Sequence, residues 1–153
     1  MPFNKPDITQ LSALGSSLGD VYFPQTTLLL PFDGTNSATT TNDLSNSNHA
    51  ATFVGNAQIS TAQSKFGGSS LYLDGSGDEI DLGSSSDWNW PTPSGASGDF
   101  TIEFWHRRTA TVAWASFFST YATIGAAGFI FGYQDSTDKL GWYNGTWYYA
   151  SGS

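Results

Sequence analysis

The apolar residues of this 153-residue chain arrive in short runs, each stopped within a few positions by Gly, Ser, Asn or Asp. A coiled coil or long-helix bundle needs apolar residues sustained at helical spacing over many turns. A membrane helix needs about 20 in succession. Neither pattern occurs, so short strands separated by turns are expected. The segment 100–107 shows why. Phe100, Ile102, Phe104 and His106 point one way, and Thr101, Glu103, Trp105 and Arg107 the other. A period of two is that of a half-buried strand. Aromatics make up 16% of residues and charged types only 12%. Disordered chains show the reverse balance, so a packed core is expected.

Further strands are expected over 26–32, 49–54, 57–59, 69–74, 79–82, 112–119, 127–134, 139–143 and 146–149. Gly75-Ser76-Gly77-Asp78 separates two of these runs and reads as a hairpin turn. Asp135-Ser136-Thr137-Asp138 and Asn144-Gly145 read the same way. Polar loops fill 33–48 and 84–98. This spacing predicts an all-β antiparallel sandwich. Residues 1–24 differ from the rest. Ile8, Leu11, Leu14 and Leu18 fall at helical spacing behind Pro6 and Asp7, with Gly15 and Gly19 weakening any helix. This stretch is a short helix or extended arm, either a packed leader or a docking segment. The chain thus divides into an arm, 1–24, and a sandwich, 25–153.

Thirteen acidic residues face five basic ones, for a net charge of -8. Nucleic-acid binding needs a basic patch to displace counterions, and the only basic cluster is Arg107-Arg108. Nucleic acid is therefore not expected as a partner, and the lack of a long apolar run argues likewise against membrane insertion. The chain has no cysteine, which removes disulfides, thiolate metal sites and a cysteine nucleophile. Its first residues lack the charged start and apolar run of a secretion signal. Release inside an assembled virus particle is one route that needs no such signal.

Three segments, in order, carry a resemblance. They are Leu28-Leu29-Leu30-Pro31-Phe32-Asp33-Gly34, then 59–75 followed by Asp78, then Gly98-Asp99-Phe100-Thr101-Ile102-Glu103-Phe104-Trp105. Over about residues 26–150 the chain resembles the laminin-G-like, concanavalin-A-like jelly-roll domains, in the form found in fibres and appendages of tailed phages. The resemblance implies two antiparallel sheets packed face to face, binding of glycans or proteins, and calcium in some members. Such domains usually continue with further strands, so this chain is expected to hold the N-terminal part of the fold. Its place would be the virion, with other virion proteins, identical subunits or a cell-surface glycan as partners. A carbohydrate-binding adhesion module outside a virion is the alternative.

Four kinds of chemistry are weighed on the residues. Glu79-Ile80-Asp81 resembles part of the Glu-x-Asp-x-x-Glu motif of jelly-roll glycosidases. Ser84 stands where the acid/base is needed, and retaining hydrolysis requires two carboxyl groups. No catalytic residue is therefore assigned, and a glycoside hydrolase is the least favoured reading. Asp74, Ser76 and Asp78 have calcium-loop spacing without the Gly and Glu that a helix–loop–helix site demands. Calcium held by Asp33, Asp74 and Asp78 stands beside the simpler reading that these residues shape turns; no other cofactor is expected. His49 and His106 lie in no recognisable motif. Aromatics crowd two places, Trp88 and Trp90 in a loop and Trp142 to Tyr149 in a hairpin. Trp88, Trp90, Trp142 and Tyr148 are the candidate carbohydrate contacts, with core or interface packing as the competing role.

Overall fold

A computed structural model of the chain describes residues 23–88, 100–110, 115–120, 128–133 and 139–150. The candidate docking residues Ile8, Leu11, Leu14 and Leu18 lie outside them, as do Trp90 and the turn at 135–138. The described residues are all-β. Every strand pair is antiparallel, and the helical content is two short 3-10 turns, Phe23–Gln25 and Ser86–Trp88. The chain divides into two compact units, 1–83 and 84–153.

In the first unit, strands β1 (Thr52–Val54), β2 (Gln58–Ser60), β3 (Ser70–Tyr72) and β4 (Glu79–Asp81) pair in a nested pattern. β2 pairs with β3, setting Ile59 opposite Leu71, and β1 pairs with β4, setting Phe53 opposite Ile80. The expected hairpin around Gly75-Ser76-Gly77-Asp78 is not formed, because β3 and β4 each take an earlier partner. The four strands instead make one long hairpin interrupted where 55–57 faces 73–78. Side chains stitch this break. Asp78 accepts the backbone N–H of Asn56 at 2.6 Å and of Asp74 at 2.7 Å. Asp74 accepts the Ser76 N–H at 2.8 Å and the Asn56 side-chain amide at 3.2 Å. Ile59 and Ala57 are buried at the centre of the unit.

The segment 26–32 forms no strand, contrary to expectation. Pro31 offers no N–H to a ladder, and Leu29 gives its own to the Asp43 carboxylate at 2.8 Å. Asp43 is buried and gathers three further donors. These are the Ser45 N–H at 2.9 Å, the His49 N–H at 2.9 Å and the Ser45 hydroxyl at 2.8 Å. Leu44 also donates its N–H to the Leu29 carbonyl. A second small knot lies nearby. The buried Ser69 hydroxyl accepts the Gly34 N–H and donates to the carbonyl of Phe32. That contact helps hold Phe32 at φ 53°, a conformation unusual for a bulky residue.

The second unit is a four-stranded meander of β5 (Ser116–Ser119), β6 (Ile130–Tyr133), β7 (Leu140–Tyr143) and β8 (Trp147–Tyr149), ordered β5-β6-β7-β8. The register shifts between Ser116 and Phe118, so Phe117 is the extra residue of a bulge in β5. The segment 100–108 belongs to no ladder, which corrects the expectation of a paired strand at 100–107. Its alternation nevertheless holds in space. Phe100 meets Phe129, Phe104 meets Phe117 and Phe131, and His106 meets Phe117 and Tyr133. Arg108 continues the inward series, its guanidinium 4.1 Å from the Tyr133 ring centre. Cohesion on this side of the sheet therefore comes from ring packing, at about 0.5–1.5 kcal/mol per aromatic pair beyond area burial.

Asp43 makes the stability of the first unit depend on pH. Burial pushes its carboxyl up, but the N–H groups of Ser45, Leu29 and His49 and the Ser45 hydroxyl outweigh burial and hold it below its ordinary value. A depressed folded value means the stabilisation is complete above the ordinary carboxylate range and is lost as pH falls through the folded value. Asp43→Asn is expected to lower the unfolding free energy at neutral pH by about 2–3 kcal/mol, because an amide N–H2 then faces former donors. Urea denaturation across pH checks both points: the wild type weakens in acid, and the variant weakens less.

Candidate functional site

The β7–β8 hairpin gathers more aromatic side chains than any other paired strands of the described residues. Asn144, Gly145 and Thr146 turn the chain, one residue more than the expected Asn144-Gly145 turn, so β8 begins at Trp147 rather than Thr146; Gly145 lies at φ 109°, where a side chain is disfavoured. Trp142 stands directly opposite Tyr148, and directly opposed residues share a face. Their rings stack at 4.5 Å with 16° between planes. Tyr143 stands opposite Trp147 on the other face, with ring centres 5.4 Å apart. Tyr149 shares that face, two residues on, and lies nearly parallel to Trp147 at 6.1 Å and 6°. Gly141 makes the tight pairing feasible, since a Cβ there would come within 2.7 Å of the Tyr148 carbonyl oxygen and 3.1 Å of the Tyr149 ring.

Burial separates the scaffold rings from the available ones. Trp142 and Trp147 are half-buried, whereas Tyr148 is 47% exposed and Tyr149 41%. Each half-buried indole thus backs one accessible phenol. Trp142 is braced from behind by Phe129 at 5.9 Å, and the Lys139 ammonium lies 5.6 Å from the Tyr149 ring centre. A stacked, backed phenol presents a flat, electron-rich face that attracts polarised C–H groups or a cation, with a hydroxyl at its rim for hydrogen bonding.

The structure brings together two of the four expected carbohydrate contacts, Trp142 and Tyr148. Trp88 is placed elsewhere in the second unit, half-buried and edge-on to Phe118 at 6.3 Å. Trp90 lies outside the described residues. Tyr149 and Lys139 were not singled out by the sequence reading. The signal was available, because alternation along 146–149 sends Trp147 and Tyr149 to the face opposite Tyr148.

Two of the acidic candidates hold the break in the long hairpin. Asp74 and Asp78 spend carboxylate oxygens on the break in the long hairpin, so the turn-shaping reading describes what they do. The Asn56 amide, followed by the Ser76 N–H, holds the Asp74 carboxyl below its ordinary value. No group of three or more His, Cys, Asp or Glu among the described residues gathers to hold a metal, so Asp33 does not join Asp74 and Asp78 in a cluster. Glu79 and Asp81 are exposed on one face of β4, opposite Val54 and Thr52, and the Asp81 carboxylate accepts the Gly83 N–H. Beside the break, an open groove of about 480 Å³ is lined by Thr39, Asn56, Gln58, Tyr72 and Asp74 among others. Tyr72 is exposed there, which makes this groove the competitor of the hairpin as a binding site.

Comparison of the chain with family models, with characterised proteins and with solved structures finds no match.

The hairpin geometry gives a direct expectation. Gly141→Ala forces backbone apart at the β7–β8 pair and is expected to destabilise the second unit by about 1–3 kcal/mol, the usual range for overpacking. Thermal unfolding followed by tryptophan fluorescence checks it, and an unshifted midpoint would refute the close approach described.

Proposed function

We propose that this chain is a non-catalytic display module of a phage virion, a fibre, appendage or capsid decoration, that touches a host-surface glycan through its β7–β8 hairpin. The observation that carries the glycan contact is the exposed Tyr148 ring stacked on Trp142 at 4.5 Å. A pyranose offers a patch of C–H groups on one side and hydroxyls around its edge. A phenol face with a polar rim complements both, and the stacked indole fixes the ring before binding, so little side-chain entropy remains to be lost. Tyr149, backed by Trp147, offers the same on the other face.

The virion setting is supported by the three segments that resemble phage jelly-roll proteins and by the acidic, charge-poor composition. The all-β antiparallel strands are compatible with a laminin-G-like jelly roll, which is the finer fold we assign. In this reading Ile8, Leu11, Leu14 and Leu18 dock the module on the particle. An adhesion module outside a virion would use the same hairpin without a docking arm.

Two experiments test the reading. A glycan array probed with the full chain is expected to give hits. Tyr148→Ala should weaken them about tenfold or more, the equivalent of ~1.4 kcal/mol, while leaving the melting temperature nearly unchanged. Tyr72→Ala should leave binding intact. A folded chain that binds no glycan, or one that needs Tyr72 rather than Tyr148, removes the hairpin assignment. Deletion of residues 1–24 should abolish incorporation into particles. Full occupancy of the truncated protein would overturn the docking role.

A further inference from the structure

The outward side of the segment 101–109 has a chemistry that the glycan reading does not use. Phe100 and the segment's residues Phe104, His106 and Arg108 contact rings of the sheet, although Phe100, Phe104 and His106 are also exposed. Its odd-numbered residues Thr101, Glu103, Trp105, Arg107 and Thr109 are all exposed. Trp105 is 70% exposed, the most of any large hydrophobic side chain among the described residues. An exposed tryptophan flanked by charges resembles the anchor of a protein interface more than a solvated surface. No described strand pairs with this segment.

Read outward, the series is Thr, Glu, Trp, Arg, Thr. About Trp105 the threonines are symmetric and the two charges, Glu103 and Arg107, are equidistant and opposite. We propose that this strip is a self-complementary docking edge, at which a second copy of the chain pairs antiparallel about a two-fold axis through Trp105.

Register decides between this arrangement and its alternatives. Centred on Trp105, an antiparallel pair sets Glu103 against the second copy's Arg107, and Arg107 against the second copy's Glu103. It also sets Trp105 against the second copy's Trp105, and Thr101 against the second copy's Thr109. Opposite charges, paired aromatics and paired threonines are all favourable cross-strand neighbours. Sliding the register by two residues in either direction separates both charge pairs and leaves each tryptophan against a residue of another kind. A parallel in-register pair sets Glu103 on Glu103 and Arg107 on Arg107, which is repulsive. The favoured register is also one that closed two-fold symmetry permits, because each residue i that meets j is matched by j meeting i. The partner is therefore a second copy. The strip's charge pattern complements itself, whereas a purely acidic or purely basic partner would meet a like charge at Glu103 or at Arg107.

Light scattering coupled to size exclusion on the full chain tests this. The wild type is expected at twice the mass of the chain at tens of micromolar. Glu103→Arg and Arg107→Glu, each placing like charges at both symmetric contacts, should each weaken association about tenfold or more and elute as monomer. The double variant Glu103→Arg, Arg107→Glu restores opposite charges with the positions exchanged and should recover the dimer. Trp105→Ser should also yield monomer, with circular dichroism checking that the variant keeps the wild-type fold. A monomeric wild type, an oligomer that neither single reversal disturbs, or a double variant that stays monomeric would each overturn the proposal.

Discussion

Asp43 is a charge kept out of water by the chain segments that it joins. Its two oxygens collect N–H groups from Leu29, Ser45 and His49 together with the Ser45 hydroxyl. A buried carboxylate is tolerable only when its acceptor capacity is filled, so these segments cannot separate without leaving it bare. The arrangement replaces a ladder. The stretch 26–50 contains no strand, and one side chain supplies several of the backbone partners that a neighbouring strand would otherwise provide. The buried Ser69 hydroxyl does the same on a smaller scale for Phe32 and Gly34. With these loops fixed, Ile59 is covered. The Ala38 carbonyl accepts the Ile59 N–H, and the Ile59 carbonyl accepts the N–H of Ser37.

The second unit solves the same problem with rings. Its sheet has glycine at the centre of two strands, Gly132 and Gly141, both buried, and aromatic residues around them. Small residues let backbones and neighbouring rings approach closely, and the rings then fill the faces. The inward side chains of 100–108 cover one face through ring contacts and a cation over Tyr133. Phe100 and Phe104 of that segment, like Tyr148 and Tyr149 at the hairpin end, keep one side open to solvent.

Some of this was legible in the residues themselves. Alternation along 100–107 grouped Phe100, Phe104 and His106 on one side, and these three do share the ring contacts with the sheet, because side-chain direction follows from local geometry. It did not reveal that the segment lacks a ladder, because the presence of a partner strand is a property of another part of the chain. The Asn144-Gly145 turn was legible but its register was not: a two-residue turn would set Tyr143 opposite Thr146, whereas Thr146 joins the loop, Tyr143 meets Trp147 and Trp142 meets Tyr148. Trp88 was less legible, because nothing local distinguishes a loop tryptophan that is open from one that finds Phe118. The stretch 69–82 misled for a similar reason. A Gly-rich turn between two apolar runs ordinarily joins them, but β3 and β4 found earlier partners, and the turn became the wide side of a break. Asp74 and Asp78 matched a calcium spacing and a turn spacing equally well in one dimension. The position of Asn56 across the break shows one use of their oxygens that spacing alone does not reveal.

The nested pairing of the first unit also sets an order of assembly. Closing a loop costs entropy that grows with the length of chain enclosed. β2 and β3 enclose only the stretch 61–69, so their contact is the cheapest to make first. Once it exists, β1 and β4 are separated by little more than 55–57 and 73–78, and their pairing no longer bears the entropy of the whole span between them. The outer rungs therefore zip onto an inner pair already in place. The Asn56, Asp74 and Asp78 contacts lie at the point where that zipping must cross from one register to the next, which makes this small polar clasp the gate between the two halves of the folding path.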